Sequence, residues 1–191
     1  MNTGSFIVFG VLLLSFGYVI SIYNSLVSLK HQISKSWANI DVLLKQRHDE
    51  LPKLVATCKQ YMEYEQETLD IVVSARSSVA SAQEKGDMGA LGSAETQLRA
   101  GLGRLFAVAE NYPELKANES FQHLQARITD LENGIADRRE FYNASVNLNN
   151  VRIEQFPDVL IANFFKFKAF DLLEFSEGEL ADVNMEKLFK S

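Results

Sequence analysis

The chain has 191 residues, a net charge of −6, three prolines and one cysteine. That length leaves room for one soluble domain beside an apolar start, and an acidic balance with no basic stripe argues against nucleic acid as a partner. The single cysteine, Cys58, excludes an intramolecular disulfide and a cysteine zinc cluster. Its expected role is that of a small buried apolar residue.

In chain order, the first element is an uncharged apolar run over residues 6–22, FIVFGVLLLSFGYVISI. No Asp, Glu, Lys or Arg occurs from Asn2 to Leu29. A spanning helix needs about 20 mostly apolar residues, which roughly Ser5 to Leu26 supply. A secretory signal would need a positive n-region and an A-x-A-like cleavage site, and neither stands here, so an uncleaved anchor over residues 1–28 is expected. Lys30, Lys35, Lys45 and Arg47 follow the run. By the positive-inside rule they place the N-terminus outside and the C-terminal domain in the cytoplasm. Gly17, Ser21 and Ser25 recur at i, i+4 and i+8, a small-residue face of the kind that lets membrane helices approach one another. The bland alternative is that Gly and Ser are simply common in membrane helices.

No Pro or Gly lies between Val19 and Leu51, so the helix is expected to continue into water. Leu26, Ile33, Trp37, Ile40, Leu44, Leu51, Leu54, Cys58 and Tyr61 step by three, four and seven, the period of left-handed bundle and coiled-coil packing. Lys30 and Arg47 interrupt that seam. Pro52 should kink the helix, which is read as running on to about Gln83, where EKGDMGALG signals a turn. A second helix is expected from Met88 or Ala90 to Asn111, with Leu91, Leu98, Leu102, Leu105, Phe106 and Ala109 as its stripe. Its Gly101 and Gly103 suggest a closely approaching neighbour. A third helix is expected after the N-cap Asn118, running to about Gln155 with Phe121, Leu124, Ile128, Leu131 and Ile135 on its seam. Beyond these, either the heptad positions Arg138, Ser145, Asn149 and Arg152 continue the seam, or the stripe drifts to Tyr142, Val146 and Ile153; drift is the preferred reading.

The fold class is therefore all-α: one transmembrane helix continuing into an up-and-down antiparallel bundle of three long helices, with a short C-terminal helix. The bundle is expected over residues 29–175. The segment DVLIANFFKFKAFDLLEF holds Phe164, Phe165, Phe167, Phe170 and Phe175. With three long rods it would emerge at the membrane-distal end, where those rings need cover from the bundle or from a neighbouring copy. A polar tail over residues 176–191, with Glu177, Glu179 and Asp182, is expected to be disordered.

Four blocks carry a likeness to a known family: Tyr23–Val55, Tyr61–Arg76, Leu102–Gln125 and Arg138–Pro157. Within them stand N-x-D-V-L-L-K-Q-R-x-D-E-L-P-x-L-V, N-Y-P-E-L-K-A-N-x-x-F and R-x-x-Y-N-x-x-V-x-x-x-N. In these the chain resembles the bacterial LemA family over almost its whole length. FFKFKAFDLLEF matches the family's usual ending only loosely. The resemblance implies an N-terminal anchor and a cytoplasmic helical bundle, and no established enzymatic activity.

His31, His48 and His123 have no metal-ligand spacing, and no phosphate loop, dinucleotide fingerprint or nucleophile elbow occurs. No cofactor is expected, and the chain reads as a non-enzyme. Arg47, Asp49 and Glu50, with Asn143, Asn147, Asn149 and Asn150, are polar groups near apolar stripes; they suit a buried network that sets register, or an interface. The functional reading is a membrane-anchored scaffold that self-assembles and presents its bundle for protein interaction. The alternative is an adaptor or regulator of a membrane enzyme or protease. Expected partners are the lipid bilayer, further copies of the chain and a membrane protein. The interaction candidates are Gly17, Ser21, Ser25, Arg47, Asp49, Glu50, Phe164, Phe165, Phe167 and Phe170.

Overall fold

A computed structural model describes residues 3–175; the polar segment with Glu177, Glu179 and Asp182 lies outside them. The described residues form an all-helical structure in the order α1 (Thr3–Lys59), α2 (Gln66–Lys85), α3 (Met88–Ala109), α4 (Pro113–Lys116), α5 (Glu119–Glu154) and α6 (Asp158–Phe164). The chain divides into two compact units. Among the described residues, one comprises those up to Ile40 with Asp137–Leu172, the other Asp41–Ala136 with those from Leu173 onward.

The second unit is an antiparallel four-helix arrangement built from α1 beyond Ile40, α2, α3 and the first half of α5. The expected single rod to Gln83 is two helices. α1 passes through Pro52 and ends at Lys59. Tyr61 and Met62 both donate backbone N–H groups to the Cys58 carbonyl, closing the last turn. Two effects favour the break. Glu63 and Glu67 would face each other at i, i+4 in a continuous helix, a like-charge pair. With the break, Glu67 instead sits in the first turn of α2, where the helix dipole favours an acid. Cys58 and Met62 are both buried at the bend, and the Tyr61 hydroxyl accepts from Asn118 Nδ2 at 3.1 Å. Contacts from Asp41 to Gln83 and from His48 to Arg76 fix the antiparallel course of α2 along α1.

The turn after α2 is as its sequence suggests. Gly86 adopts φ 66°, the left-handed conformation that ends the helix, and the Asp87 side chain caps α3 by accepting from the Ala90 N–H. Gly101 is a point of close approach, since a Cβ there would stand 3.0 Å from Ile71 Cγ2, whereas Gly103 faces open space. Asn118 caps α5 through Oδ1, accepting from the Phe121 N–H at 3.0 Å. Leu44, Leu51, Leu54, Leu69, Val72, Leu91, Leu98, Leu105, Phe121, Ile128 and Ile135 form the core. Leu173 is buried in the same unit, and its neighbour Glu174 lays its carbonyl against Gly92.

The first unit pairs the earlier part of α1 with the later part of α5, again antiparallel. Arg152 reaches Ser25 at 3.2 Å, Gln32 reaches Ser145 at 3.2 Å, and Trp37 packs on Tyr142 with ring centroids 5.9 Å apart. Trp37 is half-buried there rather than central. Along α5 each reading of the stripe holds in part: Tyr142 and Val146 are buried, and so are Ser145 and Asn149, whereas Arg138 is exposed and Arg152 and Ile153 are half-buried. α5 presents two faces because α1 covers one and the segment after α6 lies along another.

Two substitutions probe this packing. Leu51→Ala is expected to cost about 2–5 kcal/mol, read by urea unfolding. Gly92→Ala places a Cβ 1.8 Å from the Glu174 carbonyl oxygen. It should release Leu173–Phe175 from α3 and lose about 2 kcal/mol of Leu173 burial. Faster amide exchange at Leu173–Phe175, with the core unchanged, is the expected signature.

Candidate membrane-junction site

Among the described residues, one helix is long and apolar enough to cross a membrane, and it is α1. From Phe6 to Ser21 this helix has almost no neighbour in its own chain: Phe9 is 61% exposed and Leu14 76%. Burial begins abruptly at Ile22, which is 5% exposed. The small-residue face splits at that point. Nothing lies within 4 Å of a Cβ built on Gly17, and Ser21 is exposed, but Ser25 is taken by Arg152.

The end of α5, α6 and the aromatic segment gather where burial begins. Ile22, Leu26 and Ala162 form a small apolar core, flanked by Ile153, Ile161 and Phe167. Arg152 binds Asp158 at the start of α6 through Nε to Oδ2. This is a correction to the expected position of the phenylalanines. With four long helical passes instead of three, the chain returns to the anchor end of α1. There the Tyr23 ring stands 4.6 Å from Phe165 and 5.9 Å from Phe167. Phe164 packs edge-on against Phe165 at 5.0 Å. Bundle cover for these rings is incomplete. Phe156 (81%), Leu160 (60%) and Phe164 (78%) remain exposed, whereas Phe167 and Phe170 are partly buried.

What holds the segment after α6 is side-chain hydrogen bonding from α5. Asn150 donates to the Phe170 carbonyl at 2.9 Å and accepts from the Phe170 N–H at 3.0 Å, as a neighbouring strand would. Asn149 Nδ2 donates to the Lys168 carbonyl at 3.2 Å, and the Tyr142 hydroxyl to the Asp171 carbonyl at 3.0 Å. Burial, followed by the nearby Asp171 charge, pushes the Tyr142 phenol up. Asn149 and Asn150 were singled out in the sequence as register-setting residues; the backbone they bind was not identifiable there.

Arg47, in the second unit, is 1% exposed. It does not join Asp49 and Glu50. Its guanidinium binds Glu95 through Nη2 and Glu132 through Nη1, and Glu132 also meets Arg99 Nε at 3.2 Å. Burial opposes the charge, but the Glu95 and Glu132 carboxylates outweigh it and hold the Arg47 pKa above its ordinary value. Burial pushes the Glu95 carboxyl up against the pull of Arg47. Asp49 is exposed, and Glu50 pairs with Lys53 at 3.0 Å. The next residue, His48, faces Arg76: Arg76 Nη2 approaches His48 Nε2 at 2.6 Å, and Arg76 Nε donates to the His48 carbonyl at 3.0 Å. An arginine can only donate, so His48 Nε2 is the acceptor and the ring is neutral. Burial, then the Arg76 charge, lowers its pKa. Burial pushes the Cys58 thiol up to about 11. Glu95 was missed in the sequence because a lone acid on the Leu91/Leu98 stripe carries no spacing signal. Among the described residues, no three His, Cys, Asp or Glu side chains come together to hold a metal ion.

Known proteins resemble this chain in sequence. A family profile described as LemA family matches residues 36–186. Magnetosome proteins MamQ 2 and MamQ 1 of Paramagnetospirillum magneticum are each 26% identical over 169 residues, covering 76% of this chain and 62% of their own. Magnetosome protein MamQ of Magnetospirillum gryphiswaldense is 37% identical over 67 residues, 35% of this chain and 25% of its own. This chain thus spans about 62% of the length of the first two relatives.

Removing one member of the buried charge network should be costly. Arg47→Met leaves Glu95 without its cation and is expected to lose about 3–5 kcal/mol, and adding Glu95→Gln should restore part of that loss in urea unfolding. His48 gives a pH signature. With its folded-state pKa below the ordinary 6.5, the stability contributed by the neutral ring is complete above that value. It is lost as the pH falls through the depressed one. Melting temperature should therefore drop on acidification below about pH 6.5, and His48→Gln should flatten that drop.

Proposed function

From its place in the LemA family, to which this chain belongs, we propose that the protein is a membrane-anchored scaffold. α1 holds it in the bacterial inner membrane, copies associate within the bilayer, and the helical bundle is presented to protein partners on the cytoplasmic side. The observation that carries this reading is the exposed stretch Phe6–Ser21, which almost nothing covers among the described residues although the same helix packs one stripe from Ile22 onward. Only lipid or another helix satisfies so long an apolar surface. The Gly17/Ser21 face is open to a second copy. Lys30 and Lys35 support a cytoplasmic bundle, and Lys166 and Lys168, beside the ring cluster on Tyr23, add to the same side. The names of the matched relatives place them in the magnetosome.

The role is non-catalytic in this reading, and the buried charged groups that converge among the described residues are held in structural pairs: Arg47 with Glu95 and Glu132, and Arg152 with Asp158. The adaptor reading is favoured by one feature, an open groove of about 830 Å3 between α2 and α3, lined by Ile71, Ala75, Ala100, Gly101 and Arg104. A groove with an apolar floor and a charged rim accepts a partner helix.

Gly17→Leu with Ser21→Leu should leave membrane insertion intact and weaken self-association by about 1 kcal/mol. The expected result is a smaller particle in mild detergent. An unchanged particle that co-purifies with one stoichiometric membrane enzyme would favour the adaptor. For orientation, Asn2→Cys in a Cys58→Ser background should react with an impermeant maleimide in intact cells, and Glu63→Cys should not.

A further inference from the structure

We propose that the cleft between α1 and the segment after α6 binds the headgroup of an anionic phospholipid; the proposal rests on the reading that α1 spans the membrane. The cleft, of about 540 Å3, is lined by Tyr23, Lys30, His31, Phe165, Lys166 and Lys168, among others. That volume falls in the range of small-molecule sites. Three properties select the ligand.

The first is charge. Lys30, Lys166 and Lys168 are exposed around one cleft, and none forms an ion pair among the described residues. Three unpaired ammonium groups around one concavity repel one another unless an anion sits between them. The second is depth. Tyr23 lies three residues beyond Ile20, the last strongly exposed large apolar residue of the span. The cleft therefore opens about 5 Å along the helix from the apolar stretch, and Lys30 lies about 10 Å further on. This is the depth at which aromatic rings and lysines meet phospholipid headgroups. The third is the wall. The rings of Phe165 and Phe167 meet Tyr23 at tilted and edge-on angles on one side, and Phe164, packed on Phe165, exposes apolar surface beside them. A phosphate that carries acyl chains satisfies both the cations and this surface, whereas a free anion satisfies only the cations.

Lys166 adopts φ 59° as the residue that follows the C-cap of α6, where the Phe167 N–H donates to the Ala162 carbonyl and the Lys166 N–H to the Asn163 carbonyl, the left-handed turn that commonly ends a helix. It lets Phe165 and Phe167, on either side of it, both meet Tyr23. It also leaves Lys166 in the cleft lining next to Lys168.

The test uses the full chain in nanodiscs of phosphatidylcholine containing about one third phosphatidylglycerol, with retained lipid identified by native mass spectrometry. The wild type is expected to retain phosphatidylglycerol preferentially. Lys30→Gln, Lys166→Gln and Lys168→Gln together should abolish the preference, by about fivefold for each lysine. Replacing the distant exposed lysines Lys45, Lys53 and Lys116 by Gln should leave it unchanged. Equal preference in wild type and cleft variant, or equal loss in both sets of variants, would overturn the site. Displacement of the lipid by millimolar inorganic phosphate would assign the cleft to soluble anions and overturn the lipid. Resistance to carbonate extraction reports the spanning reading separately. A chain that stays in the membrane without lipid preference sinks the cleft alone, and a chain that is extracted sinks both.

Discussion

Everything in this protein follows from a change of surroundings along one helix. From Phe6 to Ser21, α1 is apolar on every side and unpartnered; from Ile22 onward it buries one stripe and exposes the rest. A backbone that satisfies its own hydrogen bonds can pass from hydrocarbon to water without a break, so nothing in the main chain marks the transition. Side chains mark it instead. Packing starts at Ile22 because α5, α6 and the aromatic segment come together there. The exposed apolar stretch and the packed stretch are thus one continuous element.

The second unit depends on a charge placed where the heptad asks for an apolar residue. Arg47 is fully enclosed, and two acids from α3 and α5 neutralise it. Such a network adds little net stability over a well-packed apolar core, because the desolvation of three ions offsets most of their attraction. It does discriminate among arrangements. A register slip of one turn in α3 or α5 would leave Arg47 buried with fewer acids, so one alignment of the helices is favoured over its neighbours.

The segment after α6 is held differently. It has no strand to pair with and little helical order, yet its backbone polar groups at Lys168, Phe170 and Asp171 are bound by Asn149, Asn150 and Tyr142. Side-chain amides here do the work of a sheet edge. This arrangement keeps the aromatic rings beside Tyr23, where the exposed apolar stretch of α1 ends.

The all-helical class, the long apolar N-terminal helix, the heptad seam, the turn before α3 and the cap at Asn118 were legible in the sequence. Each is a local property of spacing or of a side chain beside its own backbone. The break after Lys59 was not, because no Gly or Pro marks it; burial of Met62 and the Asn118–Tyr61 contact decide it. That one break reverses the direction of every later helix, and it moved the phenylalanines from the expected far end to Tyr23. The partners of Arg47 were likewise invisible, since Glu95 and Glu132 lie 48 and 85 residues away. Sequence by itself determined which faces must be covered, through hydrophobicity and period. Only the tertiary structure decided what covers them, because pairing between distant segments depends on where the chain turns.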